Sequence, residues 1–236
     1  MADLVIIPAF NEAETLPAVL GALTDTAADL DVLVIDDGST DETTRVAREA
    51  GVTVLELPYN LGIGGALRTG FRYAVEHGYE RAVQLDADGQ HDPALIASLL
   101  AGLDEADLVI GSRFAGEATS YDPGRTRRRA MRILQMTLRM LSGRQFTDTS
   151  SGFRAFNRPM LEYFAVNYPA EYMESVEALM AAHYGGFTIR EIPTDMAERQ
   201  GGEASNRSIK LAYHYIRVLA TLLVNARPTR SEANAT

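Results

Sequence analysis

The chain has 236 residues, 46% hydrophobic and 23% charged, an ordinary globular composition that excludes wholesale disorder and low-complexity classes. At this length, one large α/β domain or one domain with a helical appendage buries roughly three quarters of its unfolded surface. Cysteine is absent, which excludes a disulfide framework, thiolate metal sites and a catalytic thiol, and the net charge of −10 argues against generic nucleic-acid binding.

Taken in chain order, Leu4–Ile7 predicts a buried strand ended by Pro8, and Glu12 to Ala28 a helix. Val32–Ile35 is a second strand, followed by the turn Asp36-Asp37-Gly38-Ser39 and a helix from Asp41 to Ala50 that Ser39 or Thr40 can cap. Val52–Leu55 is a third strand, and Gly62 to His77 a glycine-opened helix. Arg81–Leu85 is a fourth strand ending in Asp86-Ala87-Asp88, and Pro93 starts a helix over Ala94–Leu103. Leu108–Ile110 is a fifth strand. Continuous apolar strands alternating with helices imply a mostly parallel, Rossmann-like α/β sheet with helices on both faces. Beyond residue 115 the rhythm changes. Residues 115–124 read as a mobile loop, Arg125 to Leu141 as a basic helix, Phe153–Phe156 and Thr188–Ile192 as strands, Glu174 to His183 as a helix, and Ala197 to Asn206 as a polar loop. Ile209 to Val224 reads as an amphipathic helix, whose apolar face could cover the body, a twin subunit in a homo-oligomer or a bilayer; the tail after Ala226 reads as frayed.

The polar clusters fall at strand ends, where open parallel sheets bind ligands. Asp86 and Asp88 can offer oxygens to Mg²⁺ or Mn²⁺, with Gln90 as a further ligand; such a cation neutralises a diphosphate leaving group. The plain alternative is a solvated turn capping the next helix. A carboxylate at Asp36 can accept from a nucleotide base or ribose, or merely form an Asx-turn. Asn11 can cap the first helix, with Glu12 near its positive end. Glycines at Gly62, Gly64 and Gly65 permit close approach of a ligand or of a neighbouring strand. Residues 123–146 hold seven Arg and no acid, and Arg128, Arg132 and Arg139 share a helical face, which suits a lipid phosphate, an anionic membrane surface or the acidic body. Glu174 and Glu177 are candidates for a general base, or else a charged first turn. Arg199 to Ser205 suits a lid over a diphosphate.

Pro8-Ala-Phe-Asn11-Glu12, Val34-Ile-Asp36-Asp37-Gly38-Ser39, Asn60-Leu-Gly62, Asp86-Ala-Asp88-Gly-Gln90-His91, Gly111-Ser-Arg113 and Ser151-Gly152-Phe153-Arg154 occur in an order that resembles family 2 glycosyltransferases, in the dolichol-phosphate mannosyltransferase-like branch. The resemblance spans about residues 3 to 206. It implies a GT-A domain over 1–206, with a nucleotide-sugar half at about 1–114 and an acceptor half at about 115–206, before the 207–225 helix and the 226–236 tail. It implies an inverting, metal-dependent hexosyltransferase that takes a nucleoside-diphosphate sugar. Pro8, Asn11, Glu12, Asp36, Gly64, Asp86, Ala87, Asp88 and Arg199 would bind the donor. Arg113, Arg128, Ser151 and Arg154 would meet the acceptor, a polyprenyl phosphate or, alternatively, a soluble or cell-envelope saccharide. Glu174, Asp88 and Arg113 would serve catalysis. This sequence has Ile63 where the family often has a basic residue, and Asn206-Arg207 where a Lys often follows the loop serine. The other classes to weigh are a nucleotidyltransferase, although residues 8–17 lack its glycine-rich basic loop, and a non-catalytic sugar-nucleotide binder. The first residues lack a basic, signal-like stretch and no segment reaches the roughly 20 apolar residues of a membrane span. The expected location is the cytoplasm, with peripheral contact at the inner face of the membrane.

Overall fold

The structure is a computed structural model that describes residues 3–27, 29–115, 125–169 and 174–194, with the side chains of 125–130 and of Glu174 outside that description. Strands β1 (Leu4–Ala9), β2 (Asp31–Asp36), β3 (Thr53–Glu56), β4 (Arg81–Gln84), β5 (Leu108–Ser112), β6 (Arg154–Asn157) and β7 (Ile189–Pro193) form one sheet of order β3-β2-β1-β4-β6-β5-β7. Strand β6 runs antiparallel to both its neighbours, and every other pairing is parallel. The reversal of β6 sets its first residue at the same rim as the carboxyl ends of β4 and β5: Arg154 pairs with Gln84 on one side and Ile110 on the other. The Ser151–Arg154 segment thereby enters the ligand edge from the far side.

The β-branched and leucine-rich strands are buried on both faces because helices cover both. One core layer gathers Leu4, Ile6, Leu33, Ile35, Leu108 and Ile110 beneath α3 (Ile63–Glu76), α5 (Arg125–Ser142), α6 (Arg158–Asn167) and α7 (Glu174–Tyr184). Phe71, Phe156, Phe164 and Tyr168 stack edge-on within it, with ring centroids 4.9–5.6 Å apart for the tightest pairs. The opposite layer places Val5, Ile7, Val34, Val83 and Val109 against α1 (Leu16–Thr26), α2 (Thr43–Glu49) and α4 (Ile96–Gly102).

Three local expectations are corrected. The first helix starts at Leu16 rather than Glu12, because the N–H groups of Asn11, Glu12 and Ala13 are donated to side chains of the next loop. Ser39 and Thr40 do not cap α2; Asp41 accepts from the Thr43 N–H instead. A helix absent from the sequence reading, α6, follows β6 directly, and Asn157 at its start accepts from the Met160 N–H at 3.1 Å, with a proline in its first turn. That Asn-Arg-Pro start is a legible helix signal. The loop at 116–124, the 207–225 helix and the tail lie outside the described residues.

Candidate active site

The loops after β1, β2 and β3 are stitched to one another by main-chain N–H groups and short polar side chains. Asn11 donates its N–H to Ser39 Oγ at 2.9 Å, and its own Oδ1 accepts from the Thr40 N–H at 2.8 Å. Glu12 and Ala13 donate to Thr43 Oγ1 and Asp41 Oδ2. To make both contacts Asn11 adopts φ 56°, the left-handed region that Asn tolerates better than other side-chain-bearing residues. It links loops rather than capping a helix. Asp36, buried at the end of β2, accepts from the Ser39 N–H at 2.8 Å and from the Thr44 hydroxyl. Asp37 accepts from the Leu61 N–H at 2.7 Å, and burial pushes its carboxyl up against the opposing pull of the Leu61 and Gly62 N–H groups. Between them Gly38 lies at φ 73°, where a β-carbon would fall 2.7 Å from the Tyr59 carbonyl carbon, so only glycine lets the β2 and β3 loops meet. Pro8 lies within β1 and Gly64 is buried in the first turn of α3. Together these contacts make a polar shelf at the carboxyl ends of β1 and β2.

At the neighbouring end of β4, Asp86 is partly exposed while Ala87 is buried, and Asp88 Oδ1 accepts from the Gln90 N–H at 3.1 Å. Behind Asp86 sit Gln84, His91 and Arg154, all buried. Burial works to raise the Asp86 carboxyl; His91, the Arg154 charge and the Gln84 amide outweigh it and hold it below the ordinary carboxylate value. His91 Nε2 lies 3.7 Å from Asp86 Oδ2, too far for a hydrogen bond, so its influence acts through space. The His91 ring stacks on Phe153, centroids 5.0 Å apart, with neither nitrogen hydrogen-bonded. Gly152 presses on the same carboxylate: a β-carbon there would lie 2.3 Å from Asp86 Oδ2.

The far side of the rim is built from charge. Arg113, just beyond β5, clasps Asp148 in two parallel bonds of 2.6 and 2.7 Å and donates to Ser150 Oγ at 2.7 Å. Both residues are buried, and the Arg113 guanidinium outweighs burial to hold the Asp148 carboxyl below its ordinary value. Glu191 on β7 pins the same loop by accepting from the N–H groups of Thr147 and Asp148 at 2.8–2.9 Å. Asp148 and Glu191 were missed from sequence; each answers a partner more than thirty positions away. Ser151 is buried, its hydroxyl accepting from the Phe153 N–H. Arg154 was expected to face the acceptor, yet it is 1% exposed and meets the Ser151 and Ser175 carbonyls instead of solvent, because antiparallel β6 turns it into the layer beneath α7. Arg128 and Glu174 fall on α5 and α7 with their side chains outside the described residues, as is all of Arg199.

Residues 4–164 match the model of the family described as Glycosyl transferase family 2. An undecaprenyl-phosphate mannosyltransferase of Micrococcus luteus is 36% identical over 213 residues, covering 86% of this chain and 87% of its own. The chain belongs to glycosyl transferase family 2. A polyprenol monophosphomannose synthase of Mycolicibacterium smegmatis is 33% identical over 208 residues, covering 84% of this chain and 78% of its own. Among solved structures, glucosyl-3-phosphoglycerate synthase from Mycobacterium tuberculosis in complex with Mn²⁺, UDP and glucosyl-3-phosphoglycerate superposes with a TM-score of 0.73 at 22% identity, covering 95% of this chain and 79% of that one. That likeness shows the GT-A fold. As a family 2 glycosyltransferase this chain is an enzyme, which sets aside the nucleotidyltransferase and passive-binder alternatives.

The rim of this glycosyltransferase fits a divalent cation that brings its own ligands. Asp86 and Asp88 stand two residues apart at one strand end, and among the described residues no cluster of three His, Asp or Glu closes a cage. Two carboxylates and an open side suit Mg²⁺ or Mn²⁺ completed by phosphate oxygens and water. The unmatched His91 nitrogens, Gln84 Oε1 and Arg154 Nη1 beside Asp86 mark a polar region whose hydrogen-bonding capacity exceeds what the described side chains satisfy.

Proposed function

We propose that this enzyme moves a sugar, with inversion, from a nucleoside-diphosphate sugar to the phosphate of a polyprenyl phosphate, working against an anionic membrane surface. The acceptor side of helix α5 carries the proposal. Ile133, Met136 and Met140 stand 55%, 63% and 80% exposed at helical spacing, and Arg132 and Arg139 are exposed beside them. The opposite face of the helix buries Leu134 and Leu138 in the core, so among the described residues nothing covers the exposed stripe. An apolar stripe edged with Arg matches the boundary between acyl chains and anionic headgroups. The helix leads into the Thr147–Gly152 loop, which holds Arg113 and touches Asp86. A lipid phosphate reaching the protein along α5 would arrive at the donor carboxylates. Two relatives named for undecaprenyl phosphate and polyprenol support this acceptor class. Among the described residues no helix is long and apolar enough to cross a membrane.

The residues then divide the work. The shelf of Asn11, Asp36 and Asp37 holds the nucleoside, with Pro8, Glu12 and Gly64 around it and Arg199 closing over the phosphates. Asp86 and Asp88, with Gln90, would hold Mg²⁺ or Mn²⁺. Bound there, the cation neutralises the departing diphosphate. An acceptor phosphate oxygen is already anionic, so it attacks the anomeric carbon without a base: one O–C bond forms as the bond to the diphosphate breaks on the opposite face. Arg113, held flat by Asp148, orients the acceptor phosphate, and the arginines of α5, Arg128 among them, gather it. With a hydroxyl acceptor, Glu174 would have to take the proton.

Transfer assays with short-chain polyprenyl phosphate, the matching polyprenol and a free saccharide, over UDP-, GDP- and dTDP-sugars, test the reading. Turnover is expected with the phosphate alone. Turnover with the saccharide and none with the phosphate would overturn it. Arg132→Gln with Arg139→Gln is expected to weaken binding to vesicles containing anionic lipid about tenfold or more, since each surface Arg contributes about 1 kcal/mol there.

A further inference from the structure

Arg154 is the largest side chain in the fully buried set. A buried guanidinium is a costly interior filling unless an opposite charge and several acceptors answer it. Its Nε donates to the Ser151 carbonyl at 2.8 Å and its Nη2 to the Ser175 carbonyl at 3.2 Å, while Nη1 has no hydrogen-bond partner among the described residues. Both bonded acceptors are neutral. Its register partner across the β4–β6 pairing is Gln84, two residues before Asp86. Ser175 lies in the opening turn of α7, next to Glu174. One side chain therefore bonds both the Ser151–Gly152 loop, which packs on the Asp86 carboxylate, and the start of the helix on the acceptor side. A Met or Leu would fill the volume without a charge to neutralise; what Arg adds is a fixed link between elements that share no strand.

We infer that Arg154 is a positioning residue: its buried guanidinium ties the Ser151–Gly152 loop, which packs on Asp86, to the opening turn of α7, so that the donor-diphosphate site and the acceptor-side helix are held in one register. This rests on the proposed donor and acceptor reading, and it adds that the two sides are set together rather than separately. Two roles follow from two properties of the side chain. A charged donor on the Ser151 carbonyl holds the loop that packs on Asp86, where the cation and diphosphate would bind. The planar fork spans two carbonyls and sets α7.

Arg154→Lys keeps the charge and loses the fork; Arg154→Met loses both. The test combines calorimetric titration of UDP and of GDP, each with Mn²⁺, and kcat on short-chain polyprenyl phosphate, with each variant's melting temperature recorded. The expected result is a split. Arg154→Lys binds the preferred diphosphate within about threefold of wild type, while its kcat falls at least about tenfold. Arg154→Met loses at least about tenfold in diphosphate affinity as well. A filling role alone would lower the melting temperature and leave the folded proteins with wild-type affinity and kcat, and that result overturns the inference. So does an equal loss of affinity in both variants. If Arg154→Met does not fold, Arg154→Lys decides: unchanged kcat overturns the fork's role. If wild type binds neither diphosphate with Mn²⁺, the donor reading falls and this inference falls with it. If wild type binds a diphosphate but does not turn over the lipid phosphate, the acceptor reading alone falls, and the inference is then decided by the affinities.

Discussion

The two sides of the carboxyl rim are held by different forces. On the donor side, loops from β1, β2 and β3 lock through main-chain N–H groups donated to Asn, Asp, Ser and Thr oxygens, most of them 2.7–2.9 Å long. On the acceptor side, a buried ion pair between Arg113 and Asp148 and the carboxylate of Glu191 set the loop that leads to Asp86. The first arrangement pairs backbone N–H dipoles with hydroxyl, amide and carboxylate oxygens and uses no buried cation among these bonds. The second depends on compensation: each ion is tolerable only while its partner stays charged. A nucleoside needs fixed shape. An acceptor that carries charge into a buried site needs groups whose charge balance can respond to it.

Removing the carboxylate proposed to hold the cation should have the largest effect. Asp88→Ala is expected to reduce turnover by about 10³-fold or more, because cation stabilisation of a leaving group is worth several kcal/mol. Wild-type turnover in the folded variant would contradict the metal assignment. On the acceptor side, Asp148→Asn leaves Arg113 buried without its counter-charge. Breaking such a pair costs about 3–5 kcal/mol, and the melting temperature should drop on the order of 10 °C. A drop of only a degree or two would mean that the pair is solvated. The same pair predicts a pH response. The folded pKa of Asp148 lies below the ordinary 3.8, so its stabilisation is complete above that value and is lost as pH falls through the lower folded value. Thermal scans from pH 6 to 2 should show this loss in wild type and less of it in Asp148→Asn.

Glu174→Gln distinguishes the acceptor chemistries. It should leave transfer to a phosphate within a few-fold of wild type, and should slow any transfer to a hydroxyl about 10²-fold. A large loss with the phosphate acceptor would mean that Glu174 has another role. The smallest effect is expected on the donor shelf. Asn11→Ala removes the two bonds its Oδ1 accepts from the Thr40 N–H and hydroxyl and places Ala at φ 56°, which together cost about 1–2 kcal/mol. Asn11→Gly should recover the backbone part of that loss. If both substitutions are neutral by chemical denaturation, the stitching of these loops contributes nothing to stability.

The same division governs how much could be read from the sequence. Strands β1 to β5 and helices α1 to α4 are local patterns, apolar runs closed by turn residues, and the structure shifts their ends by a few residues at most positions. Asp36 and Asp86 each follow a predicted strand directly, with Asp88 two residues on, so all three were visible as carboxylates at strand ends. What escaped was non-local. Nothing near Arg113 announces Asp148, thirty-five positions on, nor does anything near Thr147 announce Glu191. Arg154 sits in a recognisable motif, but its direction depends on β6 running antiparallel, a property of the sheet rather than of the segment. The apolar stripe of α5 was obscured by its arginines: only the structure turns Leu134 and Leu138 inward and leaves Ile133, Met136 and Met140 exposed. Helix α6, by contrast, carried a readable Asn157-Arg158-Pro159 start.

The central claim is that the end of β4 grips a nucleoside diphosphate through a divalent cation. Calorimetric titration of UDP, GDP and dTDP into wild type and Asp88→Ala, each with Mn²⁺ and with chelator, tests it most directly. At least one diphosphate should bind wild type with Mn²⁺, lose that binding with chelator, and fail to bind Asp88→Ala under either condition. Equal binding with chelator, or by folded Asp88→Ala with Mn²⁺, would contradict the account.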